Sequence, residues 1–191
     1  EAAPVDLSGI ARNAGDIELV FRPPRENNVK LLLLMDVGGS MNPYARLTSR
    51  LFSAAHQASH FKSFESYYFH NCPYETLYSD MARREGEPTD RILGNLDKTW
   101  RCIVVGDAAM APEELMRPGG AINYFHNNQR PGFEYLKELE EKVLKTVWLN
   151  PHNPNWWGSW TTRKIREVFP MYPLTMEGLE EAVDEIGRAH V

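Results

Sequence analysis

The chain has 191 residues, 42% hydrophobic and 25% charged, which is enough apolar content to bury a core and too much for a disordered chain. The 21 Lys and Arg against 26 Asp and Glu leave a net charge of −5 with no long basic run, which argues against nucleic acid or an anionic membrane surface as a partner. No stretch approaches ~18 consecutive apolar residues, so no spanning helix is expected, and nothing reads as a signal peptide. The first residue is Glu1 rather than Met, as in a fragment of a longer protein. Cys72 and Cys102 lie in separate apolar, strand-like runs without a Cys or His at finger spacing. They read as buried free thiols of a reducing cytosol, not as a zinc site or a disulfide, and the protein is expected to be cytoplasmic.

In chain order, residues 1–28 read as an N-terminal arm in which Ile17 to Phe21 forms a short edge strand, broken by Arg22-Pro23-Pro24-Arg25. A single domain follows over residues 29–191. Val29 to Met35 reads as a strand whose Leu31 to Met35 form a continuous apolar run, the pattern of burial on both faces. Tyr44 to Phe61 places Leu47, Leu51, Ala54, Ala55, Ala58 and Phe61 at helical spacing. Phe64 to Asn71 reads as a strand, with Glu75 to Ser79 as its hairpin partner. Residues 80–88 read as a polar loop, after which Thr89 caps a helix over 90–96. Trp100 to Val105 is another buried strand, and 108–131 a long irregular stretch. Glu134 to Leu144 is an amphipathic helix, and Thr146 to Leu149 a strand. Residues 150–163 form a Pro/Asn/Trp-rich loop, and a short helix over 163–169 leads to an edge strand near Met171. Met176 to Ile186 is a final helix with Thr175 as its cap. Strands alternating with helices imply an α/β fold with a mainly parallel sheet and helices on both faces.

The segment LLLLMDVGGSM, Leu31 to Met41, carries the most chemistry. A buried strand ends in Asp36, and Gly38, Gly39 and Ser40 follow on a tight turn. Open α/β sheets bind ligands at the carboxyl ends of their strands. Carboxylate and hydroxyl oxygens there suit a hard cation such as Mg²⁺. The strand over 100–105 ends similarly, in Gly106-Asp107. If the two strands are neighbours, Asp36 and Asp107 converge at one rim. The alternative is that these residues cap helices and satisfy turn backbone groups.

The order Asp36-Val37-Gly38-Gly39-Ser40, then Thr89, then Gly106-Asp107 resembles the metal-ion-dependent adhesion site of von Willebrand factor A domains. The stretches KLLLLMDVGGSM, YYFHNC, VVGDAAMAPEEL, VWLNP and FPMYPLTMEGLEEA resemble, more narrowly, bacterial CoxE-like members. The resemblance implies a doubly wound, six-stranded, Rossmann-like sheet in the order 3-2-1-4-5-6, with Mg²⁺ or Mn²⁺ at its carboxyl edge. Asp36 would hold the ion mostly through water, Ser40 directly, Thr89 from the second loop and Asp107 from the third. Asp90 would accept from a group around the ion, or simply place a negative charge in the first turn of its helix. Gly38 stands where the family has its first serine, so one direct oxygen is replaced by water or the site is weakened. A partner's Asp or Glu would complete the coordination. The CoxE-like resemblance also implies a MoxR-type AAA+ ATPase as partner, in the maturation of a client enzyme.

Other residues admit two readings each. Trp156, Trp157 and Trp160 form an aromatic docking patch or fold back over the core, the second being expected for two of the three. Asn123, His126, Asn127 and Asn128 fringe the same edge; His126 is a soft-metal ligand or, the simpler expectation, an exposed loop histidine. Partner contacts are assigned to Trp156, Trp157, Asn123 and His126. His70 beside Cys72 has the composition of a nucleophile and base, but not a diagnostic spacing. His56 and His60 have i, i+4 spacing without the intervening glutamate of a zinc helix. The function expected is protein docking rather than catalysis. The alternatives are a metal-free scaffold binding through its Trp- and Asn-rich loops, and a Mg²⁺-dependent phosphohydrolase with Asp36 as nucleophile.

Overall fold

The computed structural model describes residues 10–13, 16–19, 29–57, 61–122 and 126–187. Strands β1 (Ile10–Asn13) and β2 (Asp16–Leu19) pair antiparallel in a two-stranded sheet of their own. The expected edge strand over 17–21 is therefore half of a separate ribbon. The main sheet is built from β3 (Lys30–Asp36), β4 (Ser63–Phe69), β5 (Thr76–Tyr78), β6 (Gly86–Pro88), β7 (Trp100–Val105), β8 (Lys145–Asn150) and β9 (Met171–Pro173). Its order is β6-β5-β4-β3-β7-β8-β9. From β4 through β9 every neighbouring pair is parallel, while β5 and β6 are added antiparallel. This is the mainly parallel α/β sheet expected, with the predicted order and one strand more.

The seventh strand falls where a loop is expected, over 80–88. Asp80 tightens the connection: its carboxylate accepts the N–H groups of Ala82, Arg84 and Glu85, each at 2.9 Å. The chain is thereby turned back at Gly86 to pair with β5. These backbone bonds hold the Asp80 carboxyl below its ordinary range.

Helices α1 (Ala45–Gln57), α2 (Thr89–Gly94), α3 (Pro112–Met116), α4 (Gly132–Lys142), α5 (Trp160–Arg166) and α6 (Met176–Gly187) cover the sheet. The apolar run of β3 serves both faces, because alternate side chains point to opposite sides. Leu32 and Leu34 join a core with Ile92, Leu115, Leu136, Leu139 and Ile165 from α2 to α5. Leu31, Leu33 and Met35 join a second core with Leu179, Ala182 and Ile186 of α6. Those three recur at i, i+3 and i+7, the apolar stripe of a half-buried helix. Both cysteines are buried and free, as expected.

Several boundaries differ from those expected. A 3-10 turn, Gly39–Tyr44, precedes α1, so the ordered helix begins at Ala45. Thr89 is the first residue of α2, not its cap: Pro88 is the cap, and the Thr89 hydroxyl donates to the Tyr74 carbonyl. α3 lies inside the stretch expected to be irregular. It starts at a proline, and the Glu114 carboxylate accepts the Ala111 N–H at its entrance. α5 begins earlier than expected because Ser159 caps it, accepting from the Thr162 N–H at 3.1 Å. Thr175 does cap α6, accepting from the Gly178 N–H at 3.1 Å.

One core contact fixes the rim. Trp148 of β8 is fully buried, stacks on Phe169 with centroids 6.1 Å apart, and donates its indole N–H to the Gly106 carbonyl at 2.6 Å. The peptide preceding Asp107 is thereby tied to the core. Trp148→Phe should lower stability by about 1–3 kcal/mol through the unpaired carbonyl alone. Thermal denaturation should show the midpoint falling by several degrees, and an unchanged midpoint would contradict the role of this bond.

Candidate metal centre

β3 and β7 are neighbours in register, with Met35 opposite Val105. Asp36 and Asp107 therefore leave the sheet side by side at its carboxyl edge. Both are 2% exposed. Ser40, on the 3-10 turn after β3, donates its hydroxyl to the Asp107 carboxylate. The other Asp107 oxygen accepts the Ala109 N–H at 2.9 Å. Asp36 accepts the backbone N–H of Asn71 at 2.9 Å. Burial is the main reason that the Asp36 carboxyl is pushed well above its ordinary range, and the neighbouring Asp107 charge adds to it.

The three strand ends reach this arrangement through left-handed backbone. Gly38 has φ +86°, Asn71 +61° and Ala108 +57°. At Gly38 the conformation explains the residue, since a side chain there would be strained. Asn71 sits at the centre of a γ-turn closed by the Cys72 N–H on the His70 carbonyl at 2.7 Å. Its side chain donates to Glu114 at 2.8 Å, so this one residue bridges the Asp36 loop to α3. Ala108 is held by Thr161 and Thr162 of α5, whose hydroxyls both donate to its carbonyl. Asn150 at the end of β8 donates to the Asp107 carbonyl at 2.8 Å. Asn71, Glu114, Asn150 and the two threonines are supporting residues that sequence reasoning missed. Asn71, Glu114 and Asn150 lie in stretches that drew attention, YYFHNC, VVGDAAMAPEEL and VWLNP, whereas the two threonines do not.

Thr89 and Asp90 are not brought to this cluster. They follow β6, which stands three strands from β3 in the sheet order. Thr89 is buried against Tyr74, and Asp90 pairs on the surface with Arg130 at 3.0 Å. Gly39 has φ +51° and stands beside the His70 ring. The His70 Nδ1 lies 2.8 Å from the Val37 carbonyl and 3.9 Å from the Asp36 carboxylate. Cys72 is 1% exposed, and burial holds its thiol well above its ordinary range, so the His70–Cys72 pair is no nucleophile and base.

The partner residues also sort differently from the expectation. Trp156 is 71% exposed, but Trp157 is buried with its indole N–H on the His152 carbonyl at 3.0 Å, so it presents no docking face. Trp160 is exposed instead, so one tryptophan folds back rather than two. The His126 side chain is buried, 3.0 Å from Glu75 and packed on Tyr74 and Tyr78, and is neither an exposed loop residue nor part of the rim. Asn128 is buried and spans its loop by bonds to Ala121, Arg117 and Arg130. Asn123, His60 and the His56 side chain lie outside the described residues.

Chemically, the rim offers two buried carboxylates and a hydroxyl, all hard oxygen donors. Among the described residues no group of three or more His, Cys, Asp or Glu gathers around one point. Such a set fits Mg²⁺ or Mn²⁺ holding several waters, and it does not fit a soft or fully protein-caged ion. The burial of Asp36 also sets a pH dependence. Between the ordinary carboxylate range and its raised value only the folded state keeps the proton, so stability falls as pH rises through that window. In chelator, Asp36→Asn should remove that fall and be more stable above it, as read by thermal denaturation across pH. A parallel pH profile for the two proteins would contradict the buried, raised carboxyl.

Residues 9–73 match the family model described as VWA domain containing CoxE-like protein. No curated protein and no solved structure matches the chain. The matched third of the chain includes Asp36, Gly38, Ser40 and Asn71; Asp107 and Glu114 lie beyond it. Among the described residues no helix is long and apolar enough to cross a membrane. Von Willebrand A domains are protein-interaction and adhesion domains and often bind a metal. The matched stretch is thus similar to a CoxE-like von Willebrand A domain, and the α/β sheet that it opens agrees with that fold.

Proposed function

We propose that this domain docks an acidic side chain of a protein partner at a divalent cation held by Asp36, Ser40 and Asp107. The observation that carries the reading is the meeting of Ser40 and Asp107 across two adjacent strand ends, with Asp36 buried beside them. A divalent cation there would neutralise two neighbouring carboxylates and, with so few charged ligands, keep an electrophilic position for an incoming oxygen. The chain's own residues hold and orient that set: Asn71 and Ala109 fix the carboxylates, and Trp148 and Asn150 fix the backbone between them. The proposal is binding rather than catalysis. The partner class proposed is a MoxR-type AAA+ ATPase or its client enzyme in maturation. This rests on the CoxE-like family alone.

A second reading, a metal-free scaffold, draws on Gly38, which removes one ligand oxygen, and on the exposed Trp156 and Trp160. Calorimetry separates the two. Mg²⁺ or Mn²⁺ should bind the wild type saturably and fail to bind Asp36→Ala or Asp107→Ala. Thr89→Ala should leave the cation affinity unchanged while costing about 1 kcal/mol of stability for the lost hydrogen bond. Absence of cation binding to the wild type would favour the scaffold. Loss of cation binding in Thr89→Ala would place that hydroxyl back among the ligands.

A further inference from the structure

Beside the metal rim lies an open cleft of about 680 Å³, lined by Ser40, Asn71, Glu114, Ile122, Ser159 and Arg83. Arg83 arrives from the connection between β5 and β6. The Asp80 carboxylate folds this connection through three backbone N–H groups, and the Arg83 N–H closes it on the Asp80 carbonyl at 3.0 Å. Arg83 has φ +56°, a conformation that costs a non-glycine residue free energy and persists only where the surroundings enforce it. Its guanidinium Nη1 is shielded from solvent and has no hydrogen-bond partner among the described residues. A shielded, unpaired N–H of a cation is costly, and native structures seldom leave one unless something else completes it. The carboxylates nearby do not complete it. Both Glu114 oxygens are taken, by Asn71 and Ala111, and Asp36 and Asp107 are engaged by Asn71, Ala109 and Ser40.

We infer that Arg83 is the specificity-determining residue of the cleft, receiving the carboxylate of an acidic side chain of a protein partner while Ile122 takes the apolar stem. This rests on the docking reading above and adds the residue that selects the ligand. A guanidinium offers paired donors that match a carboxylate, which a metal ion alone does not. Glu114 lines the cleft and the buried Asp36 and Asp107 stand at the adjoining rim, so a monoanionic carboxylate suits it better than a dianionic phosphate. Ile122 is 70% exposed at the same opening and supplies an apolar contact for the chain carrying the acid.

The test uses NMR titration of the whole chain in saturating Mg²⁺ with a short peptide containing one glutamate, its glutamine counterpart, and inorganic phosphate. The glutamate peptide should shift Gly39, Asn71, Ala111 and the Arg83 side chain saturably, and the glutamine peptide should not. Arg83→Gly relieves the left-handed backbone, so it should fold with an unchanged or higher melting temperature yet bind the glutamate peptide at least about tenfold more weakly. Arg83→Lys should fall between, keeping the charge and losing the fork. Mn²⁺ line broadening at Asp36 and Ser40, measured separately, reports the cation site. Cation binding with equal peptide affinity in wild type and Arg83→Gly overturns this inference and leaves the docking reading intact. Arg83-dependent peptide binding without cation binding overturns the metal and keeps Arg83. No saturable shift in the wild type, equal binding of the glutamine peptide, or tighter binding of phosphate overturns the inference.

Discussion

Two carboxylates buried side by side are the constraint around which the carboxyl edge of this sheet is arranged. Asp36 and Asp107 leave adjacent parallel strands with almost no solvent to screen them. Their proximity is unfavourable by itself, and each nearby polar group answers it. Asn71 and Ala109 donate backbone N–H groups, Ser40 donates its hydroxyl, and the Arg83 charge opposes the upward push on Asp36. Buried charge left without such partners would be among the most destabilising features a fold of this size can carry. The rim therefore reads as a place made for positive charge.

The support for these carboxylates comes from the face of the sheet covered by α2 to α5. Asn71 connects the β4 end to α3, Thr161 and Thr162 connect the Ala108 carbonyl after β7 to α5, and Trp148 ties the Gly106 carbonyl to the interior. A docking surface at this rim would inherit this connectivity. Exposed Trp160 opens the helix that holds the Ala108 carbonyl, so the aromatic surface and the acidic rim belong to one hydrogen-bonded unit.

The core strands were legible because they are continuous apolar runs, and their order followed from the family resemblance. LLLLM, CIVV and TVWL are buried on both faces and cannot be mistaken for exposed helix. Asp36, Ser40 and Asp107 were legible because they follow those runs directly. What escaped depends on contacts distant in sequence. β6 exists because Asp80 folds a polar loop, and Gly86–Pro88 has no strand-like composition. Thr89 has the residue type of a ligand, but its hydroxyl is engaged by the Tyr74 carbonyl. Asn71 and Arg83 matter through left-handed backbone and long-range partners, which no spacing rule encodes. His126 looked exposed because its loop is polar, whereas Glu75, Tyr74 and Tyr78 from another segment enclose it.

Three adjacent strands, β4, β3 and β7, leave the sheet through left-handed residues, and only one of the three is glycine. The turns are already closed by their own hydrogen bonds, so the oxygens at the rim stand ready before any ligand arrives. Little remains to be rearranged on binding. Association at such a rim would be governed by encounter and not by a slow conformational step, and differences in affinity between ligands would appear chiefly as differences in how long each one stays.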